Sequence, residues 1–130
     1  MKIENKLGIW MDHSTANLIA FTVVPMTTKT LTSSFTHEEK EETLGKSEHM
    51  MHNKEQHEQT AFYKQLATAI KPYTDVLLFG PTDAKIELQH FLKTDHHFDH
   101  IKIHTLQADK MTEPQQHAFV RDYFTKHKSL

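Results

Sequence analysis

The chain has no cysteine, a single arginine, three glycines and no long apolar run in its 130 residues. Each scarcity excludes something. Without cysteine there is no disulfide framework, no thiolate zinc site, no iron–sulfur cluster and no cysteine nucleophile. With Arg121 as the lone arginine, bidentate recognition of phosphate or guanine has almost no means. The longest apolar stretch, Leu18 to Pro25, is broken by Thr22 and falls far short of the roughly 20 residues that span a bilayer. The opening residues, Met1 to Ser14, carry no apolar core of a secretory leader. The expectation is a cytoplasmic protein with no membrane partner. A formal net charge of −2 does not suit a broadly basic nucleic-acid binder.

What is present is histidine, 12 residues of it, and a set of short apolar segments. The length predicts one domain over residues 1–130, large enough to hold its own core. Leu7, Ile9 and Met11 alternate with Gly8, Trp10 and Asp12, as in a strand. Asp12-His13-Ser14-Thr15 is a turn cluster in which Asp12 bonds its own backbone. Residues 16–24 read as a central strand ended by Pro25, and residues 29–36 as a third strand. These three predict an antiparallel meander.

Residues 37–58 change character. They hold seven Glu, three Lys and four His. The segment, and 37–53 in particular, reads as a mobile acidic, His-rich loop. Asn53 and Gln56 form a plausible capping pair for a helix that runs to Lys71 and buries Phe62, Leu66 and Ile70. Asp75 to Phe79 reads as a buried parallel strand. A second helix spans about 82–94. Ile101 and Ile103 mark a half-exposed strand, and Thr112 with Pro114 opens the last helix. The predicted fold class is therefore a single α/β domain with a mixed sheet, the meander followed by α-β-α-β-α. Trp10 is expected to cover the outer face of the sheet under a helix, with stacking on a base or partner as the other reading.

Three clusters carry chemistry. Gly80, Thr82 and Lys85 surround a helix N-terminus, where free backbone N–H groups can hold a phosphate; ordinary turn-and-cap chemistry is the competing reading. His96, His97 and His100, interleaved with Asp95 and Asp99, are the metal candidates, although no recognised ligand spacing is present. His49 and His52 stand three residues apart and would share a face if the first helix began early. No cofactor is expected.

Two segments carry a resemblance: Leu7-Gly-Ile-Trp-Met-Asp-His-Ser-Thr-Ala-Asn-Leu-Ile-Ala20 and Val76-Leu-Leu-Phe-Gly-Pro-Thr-Asp-Ala-Lys-Ile-Glu-Leu88. In this order they resemble the middle domain of the class-1 peptide-release factors and Pelota, and bacterial release-factor-like proteins. That resemblance implies a release-factor middle-domain-like, ribonuclease-H-like architecture and association with the ribosome. The group's Gly-Gly-Gln is absent; Gly45 is the one glycine in the corresponding loop. The group's flanking stop-codon-reading and partner-binding domains have no counterpart in these residues. What is implied is a non-catalytic ribosome- or translation-associated protein of rescue, hibernation or stress type, without peptidyl-tRNA hydrolysis. Its contact residues would be Lys46, His49, His52, Lys54 and Lys64, on ribosomal RNA or on a basic protein. The enzymatic alternative, by analogy with ribonuclease-H-like nucleases, is a Mg²⁺ site of Asp12, Asp83 and Glu87. A third reading is a homodimer through the Ile101/Ile103 strand, if that edge is free.

Overall fold

The structure, a computed structural model, describes residues 5–21, 27–33 and 48–126, the side chains of 48–58 excepted. Strands β1 (Lys6–Met11), β2 (Thr15–Ala20) and β3 (Thr28–Thr32) form the antiparallel meander. Helix α1 (Glu48–Ile70), β4 (Asp75–Gly80), α2 (Ala84–Lys93), β5 (Lys102–Gln107) and α3 (Glu113–Lys126) follow. One 3₁₀ turn, His96–Phe98, leads from α2 towards β5. The sheet runs β3-β2-β1-β4-β5, with β1–β4 and β4–β5 parallel. The mixed α/β class read from the sequence is what the chain adopts.

Period-2 alternation explains the two cores. Leu7, Ile9 and Met11 of β1 join Val76 and Leu78 of β4 on one face, against Phe62, Leu66 and Ile70 of α1 and Leu88 and Leu92 of α2. Leu77 and Phe79 of β4 take the other face with Trp10 and Ile19, against Val120 and Phe124 of α3. β4 is buried on both sides, which is why its sequence is apolar without alternation. Trp10 is under α3, as expected, and its Nε1–H donates to the Asp109 carbonyl at 3.3 Å. Full burial of each large apolar side chain stabilises by about 1.5–3 kcal/mol, so the fully buried ones among the described residues dominate the fold.

Glycine is used where α3 and β1 come close. A Cβ on Gly8 would stand 2.3 Å from Val120 Cγ2. A Cβ on Gly80 would stand 2.1 Å from the Met11 carbonyl oxygen, and Gly80 has φ +154°. α3 starts with a reciprocal cap. The Gln115 N–H donates to Thr112 Oγ1 at 3.3 Å, and the Thr112 N–H to Gln115 Oε1 at 2.9 Å.

The helix boundary after the meander differs from expectation. α1 begins at Glu48, ahead of the Asn53/Gln56 pair, so the last residues of the predicted loop are helical. Residues 48–58 contain no glycine or proline, and seven of the eleven are Glu, Met, Lys or Gln. These have good helix propensity, and the anchored turn at Phe62 and Leu66 supplies the nucleus from which they extend. Residues 37–47, and the predicted strand ends at 22–24 and 34–36, lie outside the described residues. Ile101 is buried just before β5 rather than within it; its N–H bonds the Phe98 carbonyl at 3.0 Å, closing the 3₁₀ turn. β5 is an outermost strand of the described sheet, with Ile103 half-buried.

Candidate functional site

The carboxyl ends of β1 and β4 meet the start of α2 and the middle of α1. Asp12 closes the β1–β2 turn: its Oδ1 accepts from the Ser14 N–H at 2.9 Å, the Thr15 N–H at 2.8 Å and the Ser14 hydroxyl at 3.2 Å. The Asx-turn role read from the sequence is thus filled. The turn presents His13, whose Nε2 lies 3.1 Å from Glu87 Oε2. The Tyr63 hydroxyl donates to Glu87 Oε1 at 2.7 Å. Both carboxylate oxygens of Glu87 are therefore engaged, and three elements are clipped together through one side chain.

Electrostatics follow that geometry. Partial burial raises the Glu87 carboxyl, but hydrogen bonds from Tyr63 and His13 and the charge of His13 outweigh it, so the group lies below the usual carboxylate range. The Tyr63 phenol is pushed far up, first by burial and then by the Glu87 hydrogen bond and charge. His13 and Tyr63 carried no sequence signal: their partner lies 74 and 24 residues away, and only the fold brings them together.

Of the nuclease set, Asp12 accepts through Oδ1 within its own turn, Glu87 bonds Tyr63 and His13, and Asp83 occupies the N-cap position of α2 without a side-chain capping bond. Among the described residues, no three His, Asp or Glu side chains are placed to hold a metal ion. The same holds for the His96, His97 and His100 candidates. His96 Nδ1 pairs with Asp99 at 3.0 Å and His97 Nδ1 with Asp95 at 2.7 Å, as separate local contacts, and His100 is exposed. Asp95 is held below the ordinary carboxylate range by the His97 backbone N–H first and then its ring.

At the expected anion cradle, Lys85 and Thr82 bond within the protein. Lys85 is 3% exposed, and its Nζ donates to the Thr82 carbonyl at 2.6 Å and Gln107 Oε1 at 3.0 Å. Thr82 Oγ1 accepts from the Ala84 N–H at 3.2 Å, and Gln107 Nε2 donates to the Pro81 carbonyl at 3.1 Å. The Gly80 carbonyl takes the Ala108 N–H at 3.1 Å. Gly80, Thr82 and Lys85 tie the β4–α2 turn to the end of β5. The lysine is turned inward, and two neutral acceptors satisfy its head. Sequence reading missed Gln107, whose place in a strand end gave no hint of this role.

Of the predicted partner contacts, Lys64 is exposed on α1. The backbone of His49, His52 and Lys54 lies in α1, with side chains outside the described residues, and Lys46 lies outside them altogether. Among the described residues no helix is long and apolar enough to cross a membrane.

Comparison with known proteins places this architecture. No protein-family model matches the chain, and no curated protein matches it. Two solved structures superpose on nearly all of it. The Pelota protein of Thermoplasma acidophilum matches 98% of this chain with a TM-score of 0.58 and 12% identity. Pelota of Archaeoglobus fulgidus matches 96% with a TM-score of 0.57 and 9% identity. An archaeal translation termination factor overlaps 94% with a TM-score of 0.47 and 11% identity. The chain spans 33% and 31% of the two Pelota chains' lengths. The resemblance read from Leu7–Ala20 and Val76–Leu88 is thus present at the level of the fold, in which the first segment covers β1, its turn and β2 and the second β4, its turn and the start of α2.

Proposed function

We propose that this chain is a translation-associated binding protein that docks on the ribosome without hydrolysing peptidyl-tRNA. The observation that carries the reading is the superposition of 98% of the chain on about a third of Pelota. The absence of Gly-Gly-Gln removes the group's hydrolytic element, while the strand–turn–strand scaffold that would carry a ribosome-entering segment is retained. Docking runs through residues 37–58 and α1, with Lys46, His49, His52, Lys54 and Lys64 as contact residues. The segment 37–58 carries seven Glu against three Lys, so its favoured counterpart is a basic protein surface, with the lysines touching phosphate at the margin. Rescue, hibernation and stress control are the settings that suit such a binder.

Sedimentation of the tagged protein from growing and stationary cells through sucrose gradients, at low and high salt, tests this. Salt-sensitive comigration with ribosomes or subunits, absent for an unrelated tagged control, is the expected outcome. A protein that stays at the top of every gradient refutes the reading.

A further inference from the structure

A groove of about 510 Å³ opens between α1 and the α2–3₁₀ corner, and its Phe91 packs against Tyr63 of the Glu87 clip at a ring-centroid distance of 6.2 Å. Its floor is Ala67 of α1 with Phe91 of α2 and Phe98 of the 3₁₀ turn. Its rim carries Lys64 and Lys71, seven residues apart and so on one helix face. The Lys71 N–H still bonds the Ala67 carbonyl at 3.1 Å, so the helical path continues to it. Both lysines are exposed, and neither makes an ion pair among the described residues. The one carboxylate at the rim, Asp95, already accepts from the backbone N–H and the ring of His97, at 2.9 and 2.7 Å. The charge of Lys71 also reaches Asp95, as the last of the causes that lower that carboxyl, so the groove joins an apolar floor to two lysines that outnumber the single rim carboxylate. Its volume lies in the roughly 300–1,000 Å³ range of binding clefts, room for a few side chains.

We infer that this groove docks a segment of a partner protein in which an aromatic or branched apolar anchor is flanked by carboxylates. The anchor fills the floor between Ala67, Phe91 and Phe98, and the carboxylates meet Lys64 and Lys71. Charge complementarity selects the sign of the partner, and the floor selects its apolar centre. Single-stranded RNA fits less well. It needs exposed aromatic faces for its bases to stack upon, whereas Phe98 is 9% exposed and Phe91 is half-buried. The inference uses none of residues 37–58 and shares Lys64 with the proposed ribosome contacts; its test reads peptide binding at the groove and needs no ribosome.

Amide NMR of the isotope-labelled full chain tests it with four probes: a short capped peptide with a Phe-Leu centre between acidic residues, its counterpart with basic flanks, an acidic peptide with a Ser-Ser centre, and a short single-stranded RNA. The expected result is saturable shifts confined to the groove, around Thr68, Lys71, Phe91 and Phe98, with the first peptide alone. Binding should weaken by about tenfold or more in Lys64→Glu/Lys71→Glu, equivalent to about 1.4 kcal/mol. Both positions are exposed, and the variant's own spectrum reports whether the fold is kept. Absence of groove shifts with the first peptide overturns the inference. So do equal shifts from the basic or Ser-Ser peptide, or groove shifts from RNA without peptide.

Discussion

Gly8 and Gly80 show how single atoms set the spacing of this molecule. Gly8→Ala forces a methyl into Val120, a side chain that can give way; overpacking of this kind costs about 1–3 kcal/mol. Gly80→Ala meets the backbone carbonyl of Met11 at a φ that side chains avoid, so it is expected to cost more. Thermal or urea unfolding should rank the two in that order. Adding Val120→Ala should recover part of the loss at Gly8 beyond the cost of the new cavity, and none at Gly80. Tyr63 and Glu87 give opposite pH signatures. The raised Tyr63 phenol keeps its proton in the folded chain, so its contribution is full below the unfolded value of ~10 and is lost as pH rises through its folded value. Phenolate absorbance should show Tyr63 ionising only on alkaline unfolding, and Tyr63→Phe should flatten stability against pH above ~10. The lowered Glu87 carboxyl contributes above the unfolded value of ~4.3 and loses that contribution as pH falls through its folded value. Glu87→Gln should therefore reduce the acid dependence of stability, by a modest amount because the group is half-exposed. Asp12 was legible from its turn neighbours, whereas His13, Tyr63 and Gln107 were not. Side chains that meet across dozens of residues leave no local pattern.

At the scale of elements, alternation and caps did most of the work. Thr112 and Gln115 exchange two hydrogen bonds at the start of α3, so Thr112→Ala is expected to lose about 1 kcal/mol in denaturant unfolding. Thr112→Asp should keep most of it. β1 and β4 were readable although both are buried on both faces: β1 sets Gly8 and Trp10 against α3 and Leu7, Ile9 and Met11 against α1 and α2, and β4 is a continuous apolar run. The start of α1 was not, because a charged stretch of good helix formers looks the same whether it continues an anchored helix or stays in solvent. The 3₁₀ turn His96–Phe98 was hidden for a related reason. His96, His97 and Asp95 look like metal ligands in one dimension, and in three they make short-range pairs that shape the turn. Lys85 is the parallel case at α2: its position in the first helical turn suggested an anion, and its burial beside Gln107 assigns it to holding the turn.

The whole molecule is a sheet whose two faces are closed by different helices, α1 and α2 on one side and α3 on the other. That arrangement leaves the meander end and α1 as the surfaces from which docking can be argued. The order of strands and helices, and the likeness of two short segments to the release-factor and Pelota group, were enough to anticipate this architecture. Both segments contain a central strand, β1 or β4, in which nearly every residue is buried. The partner was less legible, since exposed lysines and glutamates are equally at home on a solvated face. We propose that this architecture serves ribosome docking. Its most direct test is cosedimentation of the purified protein with purified ribosomes over a salt series. The account predicts saturable binding that weakens with salt and is reduced in Lys46→Glu/Lys54→Glu/Lys64→Glu. Absence of binding at low salt, with the folded state confirmed, would contradict it.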